Sequence, residues 1–220
     1  MEEFNQELFY VVRHNDIHGV QRLLAEGHDV NGKDYSDQTP LFKATSSAMV
    51  DVLLKAGADI HWKDDHEQSV LHSVANAEVA RAFIKAGADV NYINHSSYRI
   101  CFESPLHEAV SNRETGVVKV FLEAGADVNA LDNYGMTPLF RSRNLESAQL
   151  LIEAGADINA LSKDGLTASQ SIRKWGAVDG SSALAEFIET HGVKVEQAKL
   201  QTTTPAAQPQ LIKKKAKAYI

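Results

Sequence analysis

Cysteine is almost absent from this sequence of 220 residues, since Cys101 is the only one. No disulfide can form within the chain, so we expect a reducing compartment, the cytoplasm. Long apolar runs are also missing, and residues 1–7 are acidic rather than basic, so neither a signal peptide nor a membrane-spanning helix is expected. The single thiol has no recognisable nucleophile motif around it and is interpreted as a packing residue.

An excess of positive charge is missing as well. The formal net charge is -7, and residues 196–220 hold five lysines against one glutamate, which leaves about -11 on residues 1–195. Proteins that follow nucleic-acid phosphates need a basic surface, so this acidic body argues against that role. Glycine-rich phosphate loops are absent, because the glycine at Gly180 lacks the preceding strand that such a loop requires. We expect no cofactor, no metal and no small-molecule substrate.

What the sequence does contain is a repeated segment that closes each unit. A pentapeptide close to Gly-Ala-Asp-Val-Asn begins at Gly27, Gly57, Gly87, Gly125 and Gly155, with spacings of 30, 30, 38 and 30 residues. An apolar pair precedes each glycine, which is typical of a helix that ends where glycine takes the left-handed conformation. The Asp and Asn that follow favour a turn.

A second signature recurs about a dozen residues after each of the first four glycines. It reads Thr39-Pro40-Leu41-Phe42, Ser69-Val70-Leu71-His72, Ser104-Pro105-Leu106-His107 and Thr137-Pro138-Leu139-Phe140. A hydroxyl side chain can cap a helix, and proline in the first helical position loses no hydrogen bond. Each unit is therefore predicted to be a turn, a helix, a short connection and a second helix.

These two signatures resemble the ankyrin repeat, and the resemblance covers roughly residues 4–195. It implies an all-α solenoid of stacked helix-turn-helix units with β-turn fingers. About four central repeats are expected between an N-terminal cap at residues 4–31 and a degenerate C-terminal cap at residues 167–192. Residues 1–195 would form the repeat domain, and residues 196–220, a Thr/Pro/Ala and Lys-rich segment, a flexible tail.

Three units depart from the family pattern in length. Residues 39–57, 69–87 and 137–155 span 18 residues from the hydroxyl residue to the closing glycine, whereas residues 104–125 span 21. The short units are predicted to have lost one helical turn. Phe42 and Phe140 also replace the family's usual histidine, which leaves the packing of the first helices open.

The resemblance implies a binding surface on the concave side, formed by finger tips and first helices. Carried over by position, the predicted partner-binding residues of the regular fingers are Tyr35, Ser36, Gln38, Lys43, Asp65, His66, Gln68, Ser73, Asn133, Tyr134, Met136 and Arg141.

The third finger is five residues longer than the fourth. The five extra residues fall within residues 92–103, and this stretch supplies the predicted contacts Tyr92, His95, Tyr98, Arg99 and Phe102. Tyr, Arg and Phe are common anchors at interfaces, so the insertion is a candidate contact element. Alternatively, its apolar side chains at 93, 100 and 102 fold back and fill a gap in the core.

Nine histidines raise the question of a metal or catalytic site. His72 and His107 occupy the position where the family uses the ring to tie one repeat to the next, so they are expected to be structural. His61 and His66 lie five residues apart with carboxylates between them, but they fall in a finger rather than on one helix face. We therefore expect a solvated turn there and no metal.

Two functions remain open from the sequence. The first is a non-enzymatic module that is monomeric when free and binds one protein partner. We expect that partner to present a basic face. An inhibitor or immunity-type role is suggested by analogy with small ankyrin proteins of bacteria. The second is a tether in which the lysines at 213–217 bind nucleic acid or an acidic membrane surface.

Overall fold

The computed structural model describes residues 3–95, 102–175 and 182–191, and in these residues every regular element is helical. The α-helices are α1 (Glu3–Arg13), α2 (Ile17–Ala25), α3 (Ser47–Lys55), α4 (Ala77–Lys85), α5 (Pro105–Ser111), α6 (Thr115–Glu123), α7 (Leu145–Glu153), α8 (Ala168–Trp175) and α9 (182–191). Two 3-10 helices, Pro40–Lys43 and Pro138–Arg141, precede α3 and α7. The predicted all-α class is therefore confirmed.

The second helices of the units, α2, α3, α4, α6 and α7, are all nine residues long and bury the same three positions. In α3 these are Met49, Val50 and Leu53, the third, fourth and seventh residues of the helix. Positions three and four residues apart share one face of a helix, so this spacing turns one apolar stripe toward the neighbouring helices. The stripes of successive helices form one continuous core from Leu8 to Ile188.

Both ends of these helices are fixed locally. Asp16, Ser46, Asn76 and Asn144 cap four of the five starts, each accepting a hydrogen bond from a backbone N–H of the first turn. These caps were not predicted from the repeat pattern. At the other end all five closing glycines have φ between +84° and +98°, as the pentapeptide predicted.

The first helices of the units vary with unit length. The one long central unit contains a full first helix, α5, whereas the units that start at Thr39 and Thr137 contain only a 3-10 turn of four residues. Residues 70–73 form turns without a helix. The predicted loss of a helical turn is confirmed, but the prediction that Ser69 begins a helix is wrong, because this short unit also lacks the proline that starts the others.

The predicted caps at Thr39 and Thr137 are also wrong. Neither hydroxyl makes a capping hydrogen bond, and both are buried without a hydrogen-bond partner. The backbone N–H three residues on donates to the threonine carbonyl instead, at 3.0 Å in both units. The hydroxyl also has no acceptor, because Phe42 and Phe140 replace the histidine that bonds to the serine hydroxyl in the other two units.

At the C-terminal end of the array, α8 and α9 form the capping pair. Leu184, Ala185 and Ile188 of α9 join the core, and Arg173 of α8 pairs with Glu189 at 2.8 Å. The connection between these helices and the tail after residue 191 lie outside the described residues. Within the described ranges, no helix has both the length and the apolar character needed to cross a bilayer.

Candidate functional site

Each regular finger is closed at its neck by one aspartate. The Oδ1 of Asp64 accepts hydrogen bonds from the backbone N–H groups of His66 (3.0 Å) and Gln68 (2.8 Å), and Asp34 and Asp132 make the equivalent pair. The N–H of each aspartate also donates to the carbonyl four residues later. This geometry holds the turn rigid and directs the residues of the tip outward.

The tips of the first two fingers are open to solvent. Tyr35 is 86% exposed, and Ser36 and Asp65 are exposed beside it. A backbone hydrogen bond from the Asp65 N–H to the Ser36 carbonyl (3.0 Å) joins the two tips. The half-buried His66 forms an ion pair of 3.4 Å with Asp65 when its ring is protonated. These side chains are free to meet a partner without any change in the backbone.

Other predicted contacts are held by bonds within the protein. The Nε2 of Gln38 donates to Asp64 Oδ2 of the next finger (2.9 Å), while Lys43 binds both Asp34 (3.2 Å) and Gln38. Gln68 is buried and donates to Glu108 Oε1 at 3.3 Å. These polar side chains link neighbouring units along the surface that carries the fingers.

Arg141 is the strongest example of such a link. Its Nη2 lies 2.6 Å from Glu103 of the third finger and 2.8 Å from the buried carboxylate of Asp132 in the fourth. Because Asp132 is buried, removal of Arg141 would leave a carboxylate without its cation. Arg141 therefore orders the surface, and the sequence pattern alone did not indicate its partners.

His72 and His107 tie successive units together, as predicted. The Nδ1 of His72 lies 2.9 Å from Ser69 Oγ, and its Nε2–H donates to the Glu103 carbonyl (3.0 Å) of the next unit. His107 repeats the pattern with Ser104 and the carbonyl of Met136. Burial lowers the pKa of His72 to about 4 and also lowers that of His107, so both rings stay neutral near pH 7.

Two lysine side chains stack on aromatic rings, one between the first and second fingers and one between the second and third. The Nζ of Lys33 lies 4.3 Å from the centre of the Trp62 ring, and that of Lys63 lies 3.8 Å from the centre of the Tyr92 ring. Tyr92 also meets the ring of His72 edge-on at 5.9 Å. One face of the Tyr92 ring, a predicted contact, is thus already covered by Lys63. Trp62 was not among the predicted contacts.

The long third finger keeps the same neck as the others. The N–H of Asn94 donates to the Glu103 carbonyl (3.1 Å), and the Glu103 N–H donates to Asn94 Oδ1 (2.8 Å). The two residues that close this neck therefore lie on either side of the insertion in the sequence. Tyr98, Arg99 and Cys101 lie outside the described residues.

The described ends of this insertion lie near the surface. Phe102 is 37% exposed, packs 5.3 Å from the exposed His95 and donates its N–H to Asn133 Oδ1 (3.3 Å) of the fourth finger. Ile93 is half-buried. These positions favour neither a contact element nor a core filler exclusively.

The fourth finger (residues 127–136) and a fifth finger (residues 157–166) present apolar side chains that were not predicted as contacts. Leu131 and Leu161 are 57% and 61% exposed, and the predicted Tyr134 is 38% exposed. The Lys163 N–H donates to the Tyr134 carbonyl (2.8 Å), so these two fingers are in contact. The signal was available, since Leu131 and Leu161 occupy the position before the neck residue where the first two fingers have Lys33 and Lys63.

The remaining predicted contacts lie at the edge of this surface. Ser73 is exposed and Met136 is half-buried. The described residues contain no group of three or more metal-ligating side chains, including the segment around His61 and His66. The site is therefore a row of fingers with exposed tips, and the described part of it has no cluster of ligands for metal chemistry.

Comparison with known proteins agrees with this geometry. A family model described as ankyrin repeats (3 copies) matches residues 8–94 and 93–162. Among curated proteins, no match to this chain is found.

Solved structures of similar shape are found with high coverage. The ankyrin repeat domain of Bcl-3, described as a unique member of the IkappaB protein family, has a TM-score of 0.69 and 26% identity, covering 86% of this chain and 85% of that chain. A structure of a predatory endopeptidase from Bdellovibrio bacteriovorus in complex with an immunity protein contains a similar chain. Its TM-score is 0.67 at 23% identity, and the match covers 82% of this chain and 96% of that chain. An ankyrin repeat domain from Acinetobacter baumannii AYE has a TM-score of 0.66 and 23% identity, covering 86% and 97%.

Proposed function

Because this chain belongs to the ankyrin repeat family, whose repeats are protein-protein interaction modules, we propose that it binds one protein partner through its finger tips and concave face and thereby inhibits it. The observation that carries this proposal is the contrast within each finger. Buried aspartates and backbone bonds fix the necks, whereas tip side chains such as Tyr35 and Tyr134 are left exposed. Exposed aromatic side chains on a preorganised frame are typical anchors of a protein interface.

The inhibitory part of the proposal rests on two similarities. One structure of similar fold comes from a complex that contains an immunity protein, and another belongs to the IkappaB protein family. The ankyrin fold is generally a non-enzymatic scaffold, so inhibition here would follow from covering the partner rather than from chemistry.

The candidate contacts fall into two groups, which are exposed tip side chains and side chains that hold neighbouring fingers together. Tyr35, Tyr134 and Leu161 are exposed and their removal breaks no bond that the structure shows for their side chains. Arg141 and Gln38 hold neighbouring fingers together, so their loss would disturb the surface as well as any contact. The tip side chains are therefore the appropriate probes of binding.

The test is a capture experiment with the full chain as bait, followed by an affinity measurement on the captured protein. Tyr35→Ala and Tyr134→Ala should together weaken binding by about 2–4 kcal/mol, as loss of aromatic anchors does. Lys55→Ala and Lys85→Ala, exposed at the ends of α3 and α4, serve as matched controls and should leave affinity unchanged. Equal affinity of all four variants would reject the finger surface as the binding site.

A separate variant tests whether the insertion in the third finger contacts the partner. Shortening it to the length of the fourth should weaken binding and leave the melting temperature nearly unchanged if the insertion is a contact element. A fall in melting temperature with unchanged affinity would assign the insertion to the core. Binding that survives these changes but is lost on deletion of residues 196–220 would favour the tether instead.

A further inference from the structure

A second ladder of hydrogen bonds joins the bases of the fingers. We number the fingers 1 (residues 29–38), 2 (59–68), 3 (89–103), 4 (127–136) and 5 (157–166). The Nδ2 of Asn31 in finger 1 donates to the Gly57 carbonyl (3.0 Å), and its Oδ1 accepts from the N–H of Asp59 (2.8 Å) at the base of finger 2. Asn91 and Asn129 make the same pair of bonds to the bases of fingers 4 and 5, with distances of 2.8–3.3 Å. Each asparagine thus clamps one finger base to the next.

The clamp is missing between fingers 2 and 3. There the residue in the asparagine position is His61, and no hydrogen bond joins its ring to the Gly87 carbonyl or to the Asp89 N–H. The chain around His61 is otherwise the same as at the other bases, since its own N–H donates to Asp59 Oδ1 at 2.8 Å. The difference is therefore the side chain and not the backbone.

The chemistry of imidazole explains the loss. The donor and acceptor of an asparagine amide sit on one carbon and can reach a carbonyl and an N–H two residues apart together. The two ring nitrogens of histidine point in different directions, so one ring cannot make both bonds to the same backbone segment. Two hydrogen bonds present at the three other bases are consequently absent here.

The contacts that remain between the units of fingers 2 and 3 lie above the finger bases. Three of them involve Tyr92, namely the stacking of Lys63 on its ring, the edge-on contact with His72 and the bond from its hydroxyl to Glu67 Oε2 at 3.5 Å. The others include the bond from His72 to the Glu103 carbonyl and the bond from Gln68 to Glu108 at 3.3 Å. Finger 2 makes more hydrogen bonds to finger 1. Gln38 donates to Asp64, and the Asp65 N–H donates to the Ser36 carbonyl at the tips. Trp62 Nε1 also donates to the Asp37 carbonyl at 2.7 Å.

We propose that His61 divides the row of fingers into two groups, fingers 1–2 and fingers 3–5, which move relative to one another. The proposal does not depend on the identity of a partner, because it rests on bonds within the chain. The two groups also differ in surface chemistry, with Lys33 and Lys63 in the first and Ile93, Leu131 and Leu161 at the equivalent positions in the second. The surface can thus change its width at the boundary between its charged and its apolar half.

Amide hydrogen exchange tests the missing clamp directly. The N–H groups of Asp59, Asp89, Asp127 and Asp157 all follow an alanine, so their intrinsic exchange rates are closely matched. Asp89 should exchange roughly five- to tenfold faster than the other three, the factor that one hydrogen bond provides. His61→Asn should slow Asp89 to the level of the others, and the reverse change Asn129→His should accelerate Asp157.

Relative motion is measured by distances between nitroxide labels at matched positions. Lys55, Lys85, Glu123 and Glu153 are exposed and end α3, α4, α6 and α7, directly before fingers 2, 3, 4 and 5. In a Cys101→Ser background, the 55/85 pair should show a broader distance distribution than the 85/123 and 123/153 pairs, and His61→Asn should narrow it. Protection of Asp89 equal to that of Asp127, or a 55/85 distribution as narrow as the other two, would overturn the proposal.

Discussion

At the scale of single residues, the partners of buried polar groups decide how each side chain behaves. His72 and Ser69 satisfy one another, whereas Thr39 in the equivalent position has lost its acceptor to Phe42. The same hydroxyl position therefore stabilises one unit and costs free energy in another. Two predictions follow from the two environments.

The first concerns pH. Burial is the main cause that lowers the pKa of His72 to about 4, opposed by its bond to the Glu103 carbonyl. Because this folded-state pKa lies below the ordinary value of about 6.5, the unfolded chain takes up a proton first as pH falls. The free energy of unfolding should decline between about pH 6.5 and pH 4 by roughly 3 kcal/mol from this group, and His107 should act in the same direction.

Urea unfolding at several pH values measures this decline. His72→Phe copies the residue found at Phe42 and Phe140, and it should be less stable at pH 7 but show a shallower decline toward pH 5. Parallel pH profiles for the two proteins would contradict the assignment to His72.

The second prediction concerns the buried hydroxyl of Thr39. Thr39→Val removes a polar atom that has no hydrogen-bond partner and keeps the shape, so the free energy of unfolding should stay equal or rise by up to about 1 kcal/mol. Ser69→Ala is the matched control, because it removes the partner of His72 Nδ1 and should cost about 1–3 kcal/mol. Thermal unfolding of both variants checks this, and a loss of stability in Thr39→Val would mean that its hydroxyl is bonded after all.

At the scale of elements, the array repeats one nine-residue helix. Its ends are set by a polar cap and a closing glycine, and its buried face by the third, fourth and seventh residues. The first helices are more variable, since three missing residues remove about one turn. Packing rather than helix propensity therefore stabilises these short units.

The buried stripe of α3 gives the prediction at this scale. Leu53→Ala should lower the free energy of unfolding by about 2–5 kcal/mol, because Leu53 is fully buried and alanine leaves a cavity. Lys55→Ala, two residues further along the same helix, should cost little, since Lys55 is exposed. Chemical denaturation of both variants is the measurement, and comparable losses would show that the wrong face had been assigned.

At the scale of the whole molecule, the uneven charge matters most. Residues 1–195 carry about -11, and the remaining 25 residues are basic. Complementary charge speeds the encounter of two proteins and is screened by salt over about 10 Å at 0.1 M. A partner with a basic face therefore suits this body.

We expect the association rate with such a partner to fall by about tenfold between about 0.01 M and 0.15 M salt. Stopped-flow or surface-based kinetics measure this rate. Deletion of residues 196–220 is the control, because it makes the chain more acidic and should increase the salt dependence. A rate that does not change with salt would show that electrostatic attraction does not accelerate this association.

The sequence by itself determined the repeat, the C-terminal ends of the second helices and their apolar stripe. Gly27, Leu53 and their equivalents act through residues within one or two turns of the chain, and such local effects recur wherever the motif recurs. The tie between units through His72 and His107 was also predictable from the motif.

The tertiary structure alone decided which polar groups are satisfied and which surface is free. Arg141 meets Glu103 across 38 positions of the sequence, Thr39 is orphaned by burial, and His61 leaves Asp89 unclamped. The outcomes at Arg141 and His61 depend on where a neighbouring unit places its backbone and charges, about one repeat away in the chain, whereas that at Thr39 depends on burial together with Phe42. A pattern of residue types carries no such distances, so the missing bonds between His61 and the base of finger 3 became visible only once the units were stacked.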